Sequence, residues 1–294
     1  MTHDEFRMLY ELPPELKVEK TKARIREFYS HFGGDVFLSF SGGKDSTVLG
    51  HIIRNMPEPY CDIEFVFFDT HNEDESVYDI VKEWGATVVS SPYTPREVVD
   101  KVGYPLFNKE IAEMIEAMQK KRAWVNDVSH SRRKKTKEQI ERRYMLFVNS
   151  PLRISAKCCD ESKKKPSKKF TKETGKYPIV ATLAVESLLR MQNYLRTGCN
   201  SFEGKIKSVP ISFWKKSDIL WYIAQHDLKI ADCYKAKITN YPLLGYKTCT
   251  LCGKDQTGCL YCGFGKGMEF AKKVLKARCP DYVKEHQEEF DNLH

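Results

Sequence analysis

FLSFSGGKDSTVLGHII, residues 37–53, decides how the chain is read. A short apolar run ends in two serines flanking two glycines. A Lys-Asp pair follows, then Val48, Leu49, Ile52, Ile53 and Met56 at helical spacing. A strand that passes through a glycine-rich turn into a helix gathers backbone N–H groups beside the positive helix end, and together these make an anion site. Lys44 adds a mobile positive charge, and Ser41 and Ser46 offer hydroxyls to the same anion. Asp45 would repel a phosphate unless a cation bridged them, so it reads as a Mg²⁺ ligand or a helix cap. The pattern is not GxxxxGK[ST], because Leu38 stands at the first glycine and Asp45 follows the lysine. The plain alternative is a tight turn with a capped helix.

Outward from this junction the chain alternates. IEFVFFD (63–69), ATVVSS (86–91), YPIVATLA (177–184) and KIKSVPIS (205–212) read as strands. Between them lie helical stripes: Val77, Ile80, Val81 and Trp84 closed by Gly85, then a capping box at Thr94-Pro95-Arg96-Glu97. Ile111, Met114, Ile115 and Met118 mark a helix from Asn108, a further helix spans about 185–195, and another carries Ile219, Leu220 and Ile223. The expected fold class is α/β, a doubly wound parallel sheet with a basic insertion and a cysteine-rich C-terminal segment. Such sheets bind ligands beyond the carboxyl ends of their strands, where SGGKDS lies. The expected division is a nucleotide-binding domain over 1–244, with the insertion at about 120–150, and a cysteine-rich segment with a terminal helix over 245–294.

Composition bounds the function classes. The 294 residues carry a net charge of +8, with 30% charged residues and no apolar stretch of membrane-spanning length. The first twenty residues lack a basic-then-apolar signal, so a cytoplasmic protein with no membrane partner is expected. Ten cysteines in a reducing compartment point to metal or redox chemistry rather than disulfides. The charge is concentrated. Residues 120–143 hold ten Lys/Arg against three acids, and 157–176 hold eight lysines against three acids. Either run is a solvated face or a polyanion site, with nucleic acid the candidate partner at the insertion. Few apolar positions beyond Arg122 suggest an exposed arm.

SFSGGKDS resembles the pyrophosphate loop of the adenine nucleotide alpha-hydrolase superfamily, whose members cleave ATP between the alpha and beta phosphates. Further segments are similar to the phosphoadenosine phosphosulfate reductase family: FFDTHNEDE (67–75), GYPLFNKE (103–110), KCCDESKKKP (157–166), VESLLRMQ (185–192), SFWKKSDILWYI (212–223) and TGCLYCGFG (257–265). They run in family order from about residue 22 to 270, and the likeness is closest to reductase-like proteins of phages and mobile elements. The resemblance implies nucleotide contacts at Ser39, Ser41, Gly42, Gly43, Lys44, Asp45, Ser46, Asp69, Thr70, Glu186 and Arg190, with Lys44 and Asp45 catalytic. It also implies a [4Fe–4S] cluster on Cys158, Cys159, Cys259 and Cys262. The CxxC pairs by themselves allow a zinc site on Cys249, Cys252, Cys259 and Cys262 instead. Bland readings stand beside these. Asp69 and Thr70 serve as a helix cap, Glu186 and Arg190 as an exposed i,i+4 pair, Trp214 and Trp221 as core, and Cys61 as a buried strand residue.

Two departures set the chain apart from sulfonucleotide reductases. Its loop is intact where theirs is degenerate, and its last cysteine, Cys279 in KARCPDY, lacks the setting of their sulfate-attacking cysteine. The implied function is therefore an iron–sulfur enzyme that uses ATP and Mg²⁺ to adenylate an acceptor for sulfur transfer, with a separate sulfur donor. A sulfonucleotide reductase is the alternative enzyme, and a non-catalytic nucleic-acid-binding or nucleotide-sensing component of a defence system is the alternative of another class. Self-association is left open.

Overall fold

A computed structural model describes residues 1–122, 131–242, 245–260 and 262–293, except the side chains of 131–136. Residues 123–130 and those side chains, within the expected basic insertion, lie outside the described residues. The chain forms two compact units. The first comprises 1–69, 73–90 and 166–258; the second comprises 70–72, 91–165 and 259–294. The division therefore does not fall at the expected 244/245 boundary.

The first unit carries a six-stranded sheet. Its strands are β1 (Val36–Ser39), β2 (Glu64–Asp69), β3 (Thr87–Ser90), β4 (Tyr177–Val180), β5 (Asn200–Ser201) and β6 (Lys207–Ser208), in the order β3-β2-β1-β4-β6-β5. All neighbours pair in parallel except β5 and β6, which run antiparallel. The doubly wound α/β expectation holds. Strand alternation explains why both faces need cover. Leu38, Phe40, Phe65 and Phe67 enter the main core, whereas Phe37, Val66 and Phe68 face the other way and meet Phe170 of the helix Lys165–Thr174. The strand order reverses between β1 and β4, which puts the topological switch point at the carboxyl end of β1.

The helix Pro14–His31 is fixed to this unit by a buried ion pair between Lys17 and Asp218. Trp214 is fully buried and Trp221 packs partly buried against the same core, as the packing reading has it. Cys61, by contrast, is half-buried in a 3₁₀ turn (Tyr60–Asp62) rather than in a strand. A hairpin of β7 (Ala236–Tyr241) and β8 (Tyr246–Leu251) completes the unit.

The second unit is helical around its own core, which includes Leu106, Ile115, Phe147, Ile154, Ala271 and Leu275. Residues 131–143 form a helix in which Ile140 is buried while Glu138, Gln139, Glu141, Arg142 and Arg143 are exposed. Just beyond its end Tyr144 and Phe147, the latter in the short helix Met145–Asn149, join Ile140 in this core and anchor the stretch at that end. Among the described residues no helix is long and apolar enough to cross a membrane.

Candidate functional site

In the first unit the chain leaves β1 with the Phe40 N–H still bonded to the Val66 carbonyl (2.9 Å), then turns through Ser41–Gly43 into the helix Lys44–Arg54. Gly42 has φ +66°, and a Cβ there would lie 2.8 Å from Val77 Cγ1 and 3.0 Å from the Val77 carbonyl oxygen. Only glycine turns the chain there without strain. Ser46 Oγ accepts from the Ser41 N–H (3.2 Å) and donates to the Gly43 carbonyl (2.9 Å), closing the loop upon itself. The loop thus sits at the switch point, with a helix N-terminus behind it.

Lys44 is buried, and its Nζ lies 3.4 Å from Asp45 Oδ2. Asp45 is no side-chain cap: the N-cap of this helix is Gly43, without a side-chain bond. Its Oδ1 is buried with no hydrogen-bond partner among the described residues. A buried carboxylate oxygen without a donor is costly unless a cation completes it. The orphaned oxygen therefore fits a Mg²⁺ ion that would bridge to phosphate.

Sequence reasoning missed four residues around this loop. The Tyr234 hydroxyl accepts from the Lys44 backbone N–H (3.0 Å) and donates to Thr257 Oγ1 (3.2 Å). Lys44 Nζ donates to the Asp255 carbonyl (2.7 Å), and the Gln256 amide donates to Glu186 Oε1 (3.1 Å). No local pattern marks these partners, because they lie scores to hundreds of residues apart in sequence. Glu186 is also paired with Arg190, and the Arg190 guanidinium lies within the field of the Asp45 carboxylate. Lys44, Asp45, Glu186 and Arg190 are thereby gathered in one unit. Asp69, buried at the end of β2, accepts from the Tyr78 hydroxyl (2.8 Å). Burial, then this carboxylate, pushes the Tyr78 phenol well above its ordinary pKa. The cap of the following helix is Asp74, not Asp69 or Thr70.

In the second unit a cavity of about 490 Å³ is lined by Cys158, Cys159, Cys259 and Cys262, together with Thr70, His71, Tyr104 and Phe270. Local structure explains how the two cysteine pairs come together. Gly263 packs so closely that a Cβ would stand 2.3 Å from the Pro105 carbonyl oxygen, and Phe107 bridges to Phe264. The Leu260 N–H bonds the Asn72 carbonyl (2.8 Å), and Cys259–Cys262 is a turn closed by a 3.1 Å backbone bond. Cys158 and Cys159 open the segment that continues into a π-turn at 160–164. The Cys158 thiol is pushed up by its hydrogen bond to Cys159 and by burial. Cys159 is drawn down by that same bond, against burial and with help from Lys109, Lys163 and Lys164. One negative charge is thus favoured on the pair. Cys249, in β8, is buried in the first unit's core, and Cys252 is exposed.

A family model, the phosphoadenosine phosphosulfate reductase domain, matches residues 105–252, just over half of the 294. The chain belongs to the phosphoadenosine phosphosulfate reductase domain family. No curated protein matches it. Membership of the phosphoadenosine phosphosulfate reductase family makes it a PP-loop enzyme that uses adenine nucleotides. The matched stretch includes Cys158, Cys159, Glu186 and Arg190; Ser39 to Ser46, Asp69, Thr70, Cys259 and Cys262 lie outside it. Four thiols lining one cavity are a donor set that suits a thiolate-held cluster. As they stand, no three His, Cys, Asp or Glu side chains among the described residues are grouped to hold a metal ion.

Proposed function

We propose that this enzyme cleaves ATP to AMP and pyrophosphate, adenylating an acceptor that then receives sulfur. The observation that carries the reading is the intact loop at the end of β1, where the buried Lys44 ammonium stands beside an Asp45 oxygen that has no hydrogen-bond partner among the described residues. Lys44 and the loop amides would hold the phosphates and stabilise the charge that develops on departing pyrophosphate. Asp45 would hold Mg²⁺, which neutralises phosphate charge when bound. An acceptor oxygen attacks the alpha phosphorus, the bond to the bridging oxygen breaks, and pyrophosphate leaves. A sulfur nucleophile at the sulfide oxidation level then attacks the acceptor carbon and expels AMP, so the sequence needs no external oxidant or reductant.

Cys158, Cys159, Cys259 and Cys262 would hold the [4Fe–4S] cluster, supported by their lining the same cavity. When bound, a cluster held by four thiolates would supply a redox and electrostatic centre tuned by burial and nearby charge. The lysines around Cys158 and Cys159 would offset its negative charge. Nucleic acid is the proposed acceptor class, on the strength of the basic run at 120–143. Its binding should weaken steeply with salt, and neutralising Arg132, Arg133, Lys134 and Lys135 should flatten that slope.

The test of the reaction is Mg²⁺-dependent release of AMP and pyrophosphate from ATP, assayed anaerobically with and without cellular RNA and DNA. Thioredoxin-dependent sulfite release from an adenylyl sulfate, with no ATP turnover in any of those conditions, would assign the chain to sulfonucleotide reduction instead.

A further inference from the structure

Both donors of Lys44 expected to receive phosphate are already engaged by the chain itself. The Lys44 ammonium donates to the Asp255 carbonyl (2.7 Å), and the Lys44 backbone N–H donates to the Tyr234 hydroxyl (3.0 Å), which in turn donates to Thr257 Oγ1 (3.2 Å). Thr257 presses on the turn: a Cβ on Gly43 would lie only 2.8 Å from its Oγ1. Gln256 donates to Glu186 (3.1 Å), and the Asp255 carboxylate accepts from Lys216 Nζ (2.6 Å). Three consecutive residues therefore cover the loop, the lysine and the Glu186–Arg190 pair.

The ends of the segment differ. Gly253 and Lys254 are pinned by backbone bonds to the Tyr234 and Cys233 carbonyls (both 2.9 Å), and a Cβ on Gly253 would stand 2.4 Å from the Cys233 oxygen. A Cβ on Gly258 would meet nothing within 4 Å. Pinned at Gly253 and Lys254, and again by a backbone bond at Leu260 with open space at Gly258 between, the segment has the build of a strap tethered at both ends.

We infer that Asp255–Thr257 is an autoinhibitory strap that closes the phosphate cradle, and that a nucleotide binds only by displacing it. The inference rests on the reading of Ser41–Ser46 as a phosphate loop. The strap offers Lys44 a neutral carbonyl where a phosphate offers charged oxygens, so it competes by tethering rather than by intrinsic strength. Displacement frees Lys216 from Asp255 as well, adding a cation to Lys44 and Arg190. Affinity measured on the whole chain is thus reduced by the fraction of molecules with the strap open.

The test uses the full chain and a triple variant, Asp255→Gly with Gln256→Gly and Thr257→Gly, titrated with Mg-pyrophosphate and Mg-ATP by calorimetry. Loss of the three side-chain anchors should tighten pyrophosphate binding about tenfold, since each anchor is a modest partly exposed contact. Thr257→Ala alone should tighten it by a smaller factor, and it serves if the triple variant fails to fold. Hydrogen exchange at 255–258 in the unaltered chain should rise when pyrophosphate is added. Equal affinities in the unaltered chain and the folded variants would overturn the strap while leaving the loop assignment standing. No binding of either ligand by any of them would overturn the loop assignment and the strap with it.

Discussion

Replacing Lys44 by Met keeps the length of the side chain and removes its charge. Among the described residues the Lys44 ammonium meets the Asp255 carbonyl at 2.7 Å and Asp45 at 3.4 Å and stands 5.4 Å from the Tyr234 ring centroid, while its N–H bond to Tyr234 belongs to the backbone and survives. When phosphate binds, the ammonium exchanges a neutral acceptor for a charged one. The bond to the carbonyl is already charge-assisted by the ammonium, so the gain on exchange is the added attraction between opposite charges, about 1–2 kcal/mol once solvent screens it. Lys44→Met should therefore weaken Mg-pyrophosphate binding by about 5–30-fold. Turnover should fall further, because charge on the leaving group grows in the transition state. Calorimetry gives the first number and a pyrophosphate-release assay the second, with circular dichroism and thermal melting as controls. A folded Lys44→Met protein that binds Mg-pyrophosphate within twofold of the unaltered chain would refute the placement of phosphate at this loop.

Gly42→Ala forces a side chain into φ +66° and against the Val77 backbone oxygen, so urea unfolding should show a loss of about 2 kcal/mol. Asp218→Ala leaves the Lys17 ammonium buried without its partner and should cost about 3 kcal/mol. Burial already lowers the Lys17 pKa, so the folded variant binds fewer protons than the unfolded chain, and the loss should shrink as pH rises toward the ordinary lysine value. Anaerobically prepared protein should be brown, with iron and acid-labile sulfide and broad absorbance near about 400 nm. Cys158→Ala or Cys259→Ala should abolish the colour and Cys249→Ala should not, whereas a colourless protein that loses zinc on Cys249→Ala would reverse the assignment.

The long strands were legible because buried parallel strands read as continuous apolar runs, as in Glu64–Asp69, and the loop was legible because its glycines and charges are adjacent. Asn200–Ser201 was not, since two polar residues carry no period, although their pairing with β6 extends the sheet. The basic run hid a helix because, among its described side chains, Ile140 is the one buried apolar residue and its other anchors, Tyr144 and Phe147, lie beyond the helix end. Tyr234 and Asp255 could not be found from sequence at all. Each is ordinary in its own neighbourhood and meets Lys44 across 190 and 211 residues. The meeting of four cysteines on one cavity was reachable only through family resemblance, because spacing alone favoured pairing the two CxxC motifs.

The chain passes between its two units after residues 69, 72, 90, 165 and 258. No single cut releases either one. A protease that nicks a crossing should leave fragments that travel together until denatured, and a product ending at 258 would deprive the helical unit of Ala271, Leu275, Val283 and Phe290. During synthesis that unit's core must wait for Ala271, Leu275, Val283 and Phe290, long after Leu106 and Ile115 have emerged. The cavity bearing Cys158 and Cys159 thus stays incomplete until Cys259 and Cys262 have followed them, and any metal held by all four would be loaded only after that point.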